Sequence, residues 1–278
     1  MMRAYGKVKE KAENLVQTIS PDELPEVFGY LSGVPNQNDD PPYVIANKIL
    51  DMDKPAVFPK DLIAFLTDLF EMEIVEGNSN AMNDMGAQYY SGNRGFEQSF
   101  EKAVHYYKMA AEHGNRQAQE NLGYCYYYGR DGEPDYEKAF HYFALGAFDG
   151  HLISLYKIGD MYLKGLYVPK NEREAFFIYM RCIETMTDDA AGRVAGPVYL
   201  RLGRMFQEGI GTEKDLRNAL ICFQKAETFL LDMVMDGDAM YRKSLQSAVN
   251  GQQAVREKLT EQLPEERWEF DESACHLT

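Results

Sequence analysis

Two stretches in the middle of the chain decide the fold: Leu122-Gly123-Tyr124-Cys125-Tyr126-Tyr127-Tyr128-Gly129 and, beginning ten residues later, Ala139-Phe140-His141-Tyr142-Phe143-Ala144-Leu145-Gly146-Ala147. The first places an apolar residue, a glycine and an aromatic at near-helical spacing, with a second glycine three residues further on. The second stretch places an alanine and, four residues later, an aromatic. These spacings predict two helices, each with one buried face, and a glycine that ends the first helix.

The same pattern occurs four times, so the chain contains an internal repeat. The first glycines, spaced 37, 36 and 44 residues apart, are Gly86, Gly123, Gly159 and Gly203. The second glycines are Gly92, Gly129, Gly165 and Gly209; the alanines are Ala103, Ala139, Ala175 and Ala219; the aromatics after them are Tyr107, Phe143, Tyr179 and Phe223. Because a glycine inside a helix costs about 1 kcal/mol relative to alanine, its recurrence predicts that a neighbouring helix packs closely there.

These motifs resemble the Sel1-like repeat, a relative of the tetratricopeptide repeat with a unit of about 36 residues. One such unit cannot bury its apolar face alone, whereas stacked units can. We therefore expect an all-α fold, a right-handed α-solenoid (α/α superhelix) of helix–turn–helix Sel1-like repeats.

The sequence predicts three regions: an N-terminal helical region at 1–78, four repeats at 79–230 (about 79–115, 116–151, 152–186 and 197–230), and a C-terminal capping helix with an acidic tail at 231–278. Ser20-Pro21-Asp22-Glu23 is typical of a helix start, and residues 59–74 predict an amphipathic helix. The insertion Thr185 to Gly196 before the fourth repeat is expected to be irregular or extended. The capping helix has its apolar side at Tyr241, Leu245, Ala248, Val255 and Leu259.

Composition excludes several classes of protein. The net charge of −15 disfavours nucleic acid as the main partner, since phosphate binding needs a basic surface. The chain lacks an apolar run of about 18 residues, so we expect no membrane span. Its first ten residues lack the apolar stretch of a signal peptide, so we expect a cytoplasmic protein.

Neither the cysteines nor the histidines predict an active site. No cysteine pair has the short spacing of a zinc or redox motif, and we expect Cys125, Cys182 and Cys222 to be buried thiols. His105 and His141 occupy the same place in adjacent repeats, where a half-exposed surface is favoured over a zinc site. Known catalytic motifs do not occur. We therefore expect no enzyme, no cofactor and no metal.

Repeat solenoids bind partners along a concave face that the first helix of each unit usually forms. Helical spacing places on that face the residue before the apolar position and the residues three and seven further on. These residues are Asp84, Ala87 and Ser91; Asn121, Tyr124 and Tyr128; Lys157, Asp160 and Lys164; Arg201, Arg204 and Glu208. For Tyr124 and Tyr128 packing and ligand contact are both open, and the basic residues could form a solvated face.

The resemblance implies a non-catalytic adaptor or scaffold that binds a peptide or protein segment in the concave groove. The basic and aromatic residues on the predicted face favour a peptide of acidic character. Two alternatives remain open: a regulatory receptor for a short peptide or small ligand, and a structural homo-oligomer formed by self-association.

Overall fold

The computed structural model describes residues 2–37, 40–53, 57–130 and 132–261. Over these ranges the chain forms thirteen α-helices and two short 3₁₀ turns, and no strand. The helices are α1 (Met2–Val16), α2 (Pro25–Gln37), α3 (Pro42–Asp51), α4 (Lys60–Val75), α5 (Ser79–Ser91), α6 (Phe100–Glu112), α7 (Arg116–Tyr127), α8 (Tyr136–Phe148), α9 (Leu152–Lys164), α10 (Glu172–Thr185), α11 (Asp188–Glu208), α12 (Leu216–Met235) and α13 (Arg242–Glu261).

The chain divides into two compact units, Met1–Gly146 and Ala147–Thr278, called unit 1 and unit 2 below. In unit 1, α1 packs on α2 and α4, α3 on α4, α4 on α5, and α6 on both α5 and α7. In unit 2, α9 packs on α10, α11 on α12, and α12 on α13. Helix hairpins stacked in this way make the fold an all-α solenoid, as the sequence predicted.

A glycine and an aromatic ring join the two helices of every repeat. A Cβ atom at Gly123 would lie 2.7 Å from the Phe143 ring, and one at Gly203 would lie 2.8 Å from the Phe223 ring. The other two repeats make the same contact, at Gly86–Tyr107 and at Gly159–Tyr179. Since a methyl group has no room at these positions, the prediction of a close helix–helix approach at the recurrent glycine is confirmed.

A polar residue closes each hairpin at the start of its second helix. In the second repeat the Asp135 carboxylate accepts a hydrogen bond from the Lys138 N–H at 3.0 Å. The Asp135 N–H donates in turn to the Tyr126 carbonyl at the end of the first helix, at 2.9 Å. The residues that play the same two roles in the other repeats are Ser99, Asn171 and Asp215. The cap therefore satisfies orphan groups at the ends of both helices at once.

The insertion before the fourth repeat is helical, so the expectation of an irregular connection at Thr185 to Gly196 was wrong. Helix α11 has 21 residues where α9 has 13. The difference of eight equals the excess of the 44-residue spacing over the 36-residue one. The inserted residues lengthen α11 at its N-terminal end. Gly196 in this part packs against α12, since a Cβ atom at Gly196 would lie 2.8 Å from the Leu230 side chain.

The flanking regions agree with the sequence in part. Helix α4 buries Leu62, Phe65, Leu66 and Leu69 as predicted, and α13 buries Ala248 and Val255. The helix start predicted at Ser20–Glu23 was wrong, because α2 begins at Pro25. Residues 21–23 form a turn, and the Ser20 carbonyl accepts a hydrogen bond from the Leu24 N–H. The acidic tail from residue 262 onward lies outside the described residues.

Candidate binding surface

The predicted contact residues lie on the first helices of the repeats, α5 and α7 in unit 1 and α9 and α11 in unit 2, except that Tyr128 directly follows α7 as its C-cap. This set of positions is called the first-helix face below. Its two parts are described separately, one for each unit.

In unit 1 the first-helix face carries two stacked tyrosines. The rings of Tyr124 and Tyr128 are nearly parallel, with centroids 6.1 Å apart. Tyr128 is 48% exposed, whereas Tyr124 is half-buried and meets the Phe143 ring edge-on at 5.5 Å. Tyr124 therefore packs within its own repeat and holds Tyr128 in place at the surface.

Asn121 and Asp84 form hydrogen bonds between consecutive hairpins of unit 1. The Asn121 side chain donates to the Asn83 side chain of α5 at 3.0 Å. The Asp84 carboxylate accepts from the Tyr43 hydroxyl of α3 at 2.7 Å. Burial, and then this bond to Asp84, raises the pKa of Tyr43 to about 12. On the same helix Ser91 is exposed.

In unit 2 the first-helix face contains a charged network at its centre. Arg201 of α11 donates to both oxygens of Asp160 of α9, from Nε at 2.5 Å and from Nη2 at 2.7 Å. The Tyr179 hydroxyl donates to the same carboxylate at 2.7 Å, and Lys157 Nζ lies 3.9 Å from it. Arg201 Nη1 also donates to the Pro197 carbonyl at 2.7 Å. The network therefore links α9, α10 and α11.

Burial decides the electrostatics of this network. Lys157 and Asp160 are only 5% and 3% exposed, and the Arg201 side chain is 25% exposed. Burial lowers the pKa of Lys157 to about 8. Burial would raise the pKa of Asp160, but the Arg201 guanidinium outweighs it and holds that pKa below its usual range.

The remaining residues of the unit 2 face are open to solvent. Lys164 in the last turn of α9 is exposed, as are Arg204 and Glu208 in the last turns of α11. The exposed chemistry of the predicted face is thus one aromatic ring and one serine hydroxyl in unit 1, and two cations and a carboxylate in unit 2. Whether these side chains contact a partner stays a prediction.

Sequence reasoning missed what the position before the apolar residue does. Asn121 and Arg201 both occupy it, and each bonds to the first helix of the preceding hairpin. Asp84 occupies it as well, and accepts from α3. The bonded residues lie 38 and 41 positions apart in the two repeat-to-repeat cases, so helical spacing alone holds no signal for them.

The thiols are buried, as the sequence predicted, and the two repeat histidines lie against tyrosine rings. Cys125, Cys182 and Cys222 are buried and unbridged, and burial raises the pKa of Cys182 to about 12 and that of Cys222 to about 11. His105 and His141 each meet the tyrosine that follows them, at 5.4 Å between ring centroids. Among the described residues, no group of three or more metal-ligating side chains occurs.

A search of the described helices also finds none that is long and apolar enough to span a membrane.

Comparison with known proteins agrees with the helix hairpins. The Sel1 repeat family matches residues 79–115, 116–151, 152–179 and 197–227. One similar solved structure is c5321, a protective antigen present in uropathogenic Escherichia coli strains that displays an SLR fold; it is 21% identical, with a TM-score of 0.51 over 70% of this chain and 41% of that one. This chain therefore spans less than half of that protein, and the likeness concerns the fold alone.

A Sel1 repeat protein from Oxalobacter formigenes is 25% identical, with a TM-score of 0.44 over 63% of this chain and 74% of its own. No curated protein matches the chain significantly.

Proposed function

Because this chain is a Sel1 repeat protein, with four such repeats between residues 79 and 227, we propose that it is a non-catalytic adaptor. It binds a peptide or protein segment on its first-helix face. Proteins built from these repeats generally act as interaction scaffolds, and their helix hairpins offer a rigid surface that needs little ordering when a partner binds.

The observation that carries the proposal is the exposure of Tyr128 on top of Tyr124. A tyrosine brings large contact area at a low entropic cost, and it is enriched among the anchors of protein interfaces. Tyr128 is 48% exposed, and its stacking on Tyr124 fixes the ring before any partner arrives. Preorganisation of this kind favours binding, because little rotamer freedom remains to be lost.

The charge on unit 2 favours an acidic partner. Lys164 in the last turn of α9 and Arg204 near the end of α11 are exposed, and their positive charge attracts a carboxylate. Lys157 is buried and the Arg201 side chain is only 25% exposed. Lys164 and Arg204 are both exposed, so a carboxylate of a bound peptide would reach these two cations at the surface.

The proposal is tested by selection of peptides from a random library displayed on phage, with the full chain as bait. Selected peptides should be enriched in acidic residues. The affinity of each selected peptide, measured by fluorescence anisotropy, should fall about tenfold or more with Tyr128→Ala if it binds unit 1, or with Arg204→Ala if it binds unit 2. Both residues are exposed, so neither substitution removes core packing.

A matched control uses an exposed aromatic and an exposed arginine of a second helix, Phe177 and Arg181 of α10. Phe177→Ala and Arg181→Ala should leave the affinities within about twofold, since binding hot spots are local. Equal losses in both sets, or selected peptides without acidic enrichment, would contradict the proposed face.

A further inference from the structure

Helices α3 and α4 precede the first matched repeat, which begins at residue 79, yet they share its contacts. The loop between α5 and α6 reaches back to them through Arg94. This side chain donates to the carbonyls of Leu50, Met52 and Asp53 at 2.9, 2.8 and 3.0 Å. Its guanidinium also lies 4.6 Å from the centre of the Phe58 ring, just before α4.

The loop of the next repeat does the same thing one hairpin later. Arg130, between α7 and α8, lies 4.4 Å from the ring centre of Phe100, the first residue of α6. In both cases a loop arginine stacks on a phenylalanine near the N-terminal end of a helix in the preceding hairpin: Phe58 lies two residues before α4, and Phe100 is the first residue of α6. By this contact α4 takes the place of a second helix.

The C-terminal end of α4 is built like that of α6. The Asn78 N–H donates to the Glu73 carbonyl at 3.0 Å, and the Asn115 N–H donates to the Ala110 carbonyl at 3.0 Å. The glycine before each asparagine has a positive φ, 84° at residue 77 and 79° at residue 114. Each asparagine then caps the first helix that follows, α5 or α7. The turn that leads from one repeat to the next is therefore already present after α4.

The buried positions of α4 agree with this alignment. When Asn78 is matched to Asn115, Leu66 and Phe70 of α4 correspond to Ala103 and Tyr107 of α6, and all four are buried. An aromatic ring is therefore buried at the same place in both helices, while leucine stands in α4 where the repeats have alanine.

Helix α3 in turn behaves as a first helix. The Tyr43 hydroxyl donates to Asp84 of α5 at 2.7 Å, as the Asn121 side chain donates to Asn83 between α7 and α5 at 3.0 Å. Asp53, which follows α3, has a φ of 50°, close to the 62° of Gly92 at the end of α5. We infer that residues 42–75 form a further, sequence-divergent repeat, so that the first-helix face of unit 1 begins at α3.

This inference deepens the proposed function, because it adds a third first helix to the surface of unit 1, where Tyr128 is exposed. Its structural part stands without any partner, so its test uses the free protein. The question is whether α3 and α4 open together with the repeats or with α1 and α2.

The test is native-state hydrogen exchange with mass spectrometry on the full chain. Leu31 is fully buried in α2. Leu31→Ala should speed exchange in α1 and α2 about tenfold or more, because local opening costs less there, while α3–α6 stay within about twofold. If α1–α4 accelerate together as one block, the inference is overturned.

A second variant keeps the inference testable if Leu31→Ala does not fold. Arg94→Ala should speed exchange in α3–α4 by at least the factor by which Arg130→Ala speeds exchange in α5–α6. Both substitutions remove a ring contact between neighbouring hairpins, and Arg94→Ala also removes three hydrogen bonds. Unchanged exchange in α3–α4 with Arg94→Ala, next to a clear effect of Arg130→Ala, would contradict it. Neither outcome depends on peptide binding.

Discussion

Within each unit, neighbouring first helices are linked through the residue before the apolar position of the repeat, but with different chemistry in the two units. In unit 1 the neutral side chains of Asn121 and Asn83 meet at 3.0 Å. In unit 2 the charged side chains of Arg201 and Asp160 meet through two hydrogen bonds. The comparison shows that the repeat pattern sets the position through which neighbouring repeats contact each other, while the type of residue at that position varies.

The charged version makes unit 2 more sensitive to a change in one residue. A buried carboxylate loses the hydration that it has in water, and its ion pair compensates for this loss only when the geometry is good. The bidentate contact and the Tyr179 hydroxyl supply that geometry. Removing one partner leaves the other charged and poorly solvated, whereas an amide pair leaves only a neutral group behind.

Asp160→Asn should have the largest effect and would sharpen the contrast. It should lower the free energy of unfolding of unit 2 by about 3 kcal/mol, because Arg201 loses its counter-charge in a largely buried site. Asn121→Ala should cost unit 1 only about 1 kcal/mol. Hydrogen exchange, followed separately for peptides of each unit under denaturant, measures both values.

The triple variant Asp160→Leu/Arg201→Met/Lys157→Met separates charge from packing, because it removes all three charges of the network. Replacing a whole buried charged group with apolar residues is often close to neutral, so it should recover most of the loss. A loss with the triple variant as large as that with Asp160→Asn would mean that packing, not unpaired charge, explains the cost.

Gly123→Ala and Gly203→Ala should lower the free energy of unfolding by similar amounts, because both units have the same contact between a glycine and an aromatic ring. The added methyl would lie 2.7 Å from Phe143 in unit 1 and 2.8 Å from Phe223 in unit 2. Overpacking of this kind costs about 1–3 kcal/mol, and we expect about 2 kcal/mol for each variant. Thermal and urea unfolding of the two proteins check the equality.

Gly29→Ala is the matched control, since Gly29 lies within α2 and a Cβ there would meet nothing within 4 Å. This change should stabilise the chain by up to about 1 kcal/mol through helix propensity. A cost at Gly29 equal to that at Gly123 would show that backbone freedom, rather than the aromatic ring, sets the effect.

The smallest effect is a pH dependence confined to unit 2. Burial lowers the pKa of Lys157 to about 8, below its unfolded value of about 10.4. Between these values the unfolded state binds more protons, so stability rises with pH, by about 1 kcal/mol from pH 7 to pH 9. The corresponding residue of unit 1, Asn121, does not titrate.

This rise is measured as the difference between the wild type and Lys157→Met, because buried tyrosines and cysteines common to both proteins cancel. The variant should lack the rise. Parallel pH profiles for the two proteins would rule out Lys157 as its source.

The repeats could be predicted from the sequence because their central contact is local. Gly123 and Phe143 lie twenty residues apart within one hairpin, so the spacing of residue types reports the contact directly. The caps were also within reach, since Ser99, Asp135, Asn171 and Asp215 all stand four residues before the repeat alanine. The insertion was expected to be irregular because its Asp and Gly residues, Asp188 to Gly192, resemble a loop.

The candidate surface could be predicted only in part. Lys164 and Arg204 lie on exposed parts of first helices, and Tyr128 is exposed directly after α7, as helical spacing suggested. Helical spacing could not show that Asp160 is buried, because the burial follows from a pairing with Arg201, 41 residues away in another repeat. A single sequence gives the face of a helix, but it does not give what the next helix brings to that face.

The three buried thiols have a practical consequence. Cys125 lies on α7, Cys182 on α10 and Cys222 on α12, which belong to the second, third and fourth repeat hairpins. A thiol-specific alkylating reagent reaches such a side chain only during a local opening, so the unmodified chain carries an intrinsic chemical label in each of three neighbouring repeats. Mass spectrometry of the alkylated peptides would then rank these repeats by how often each one opens, with no probe added to the protein.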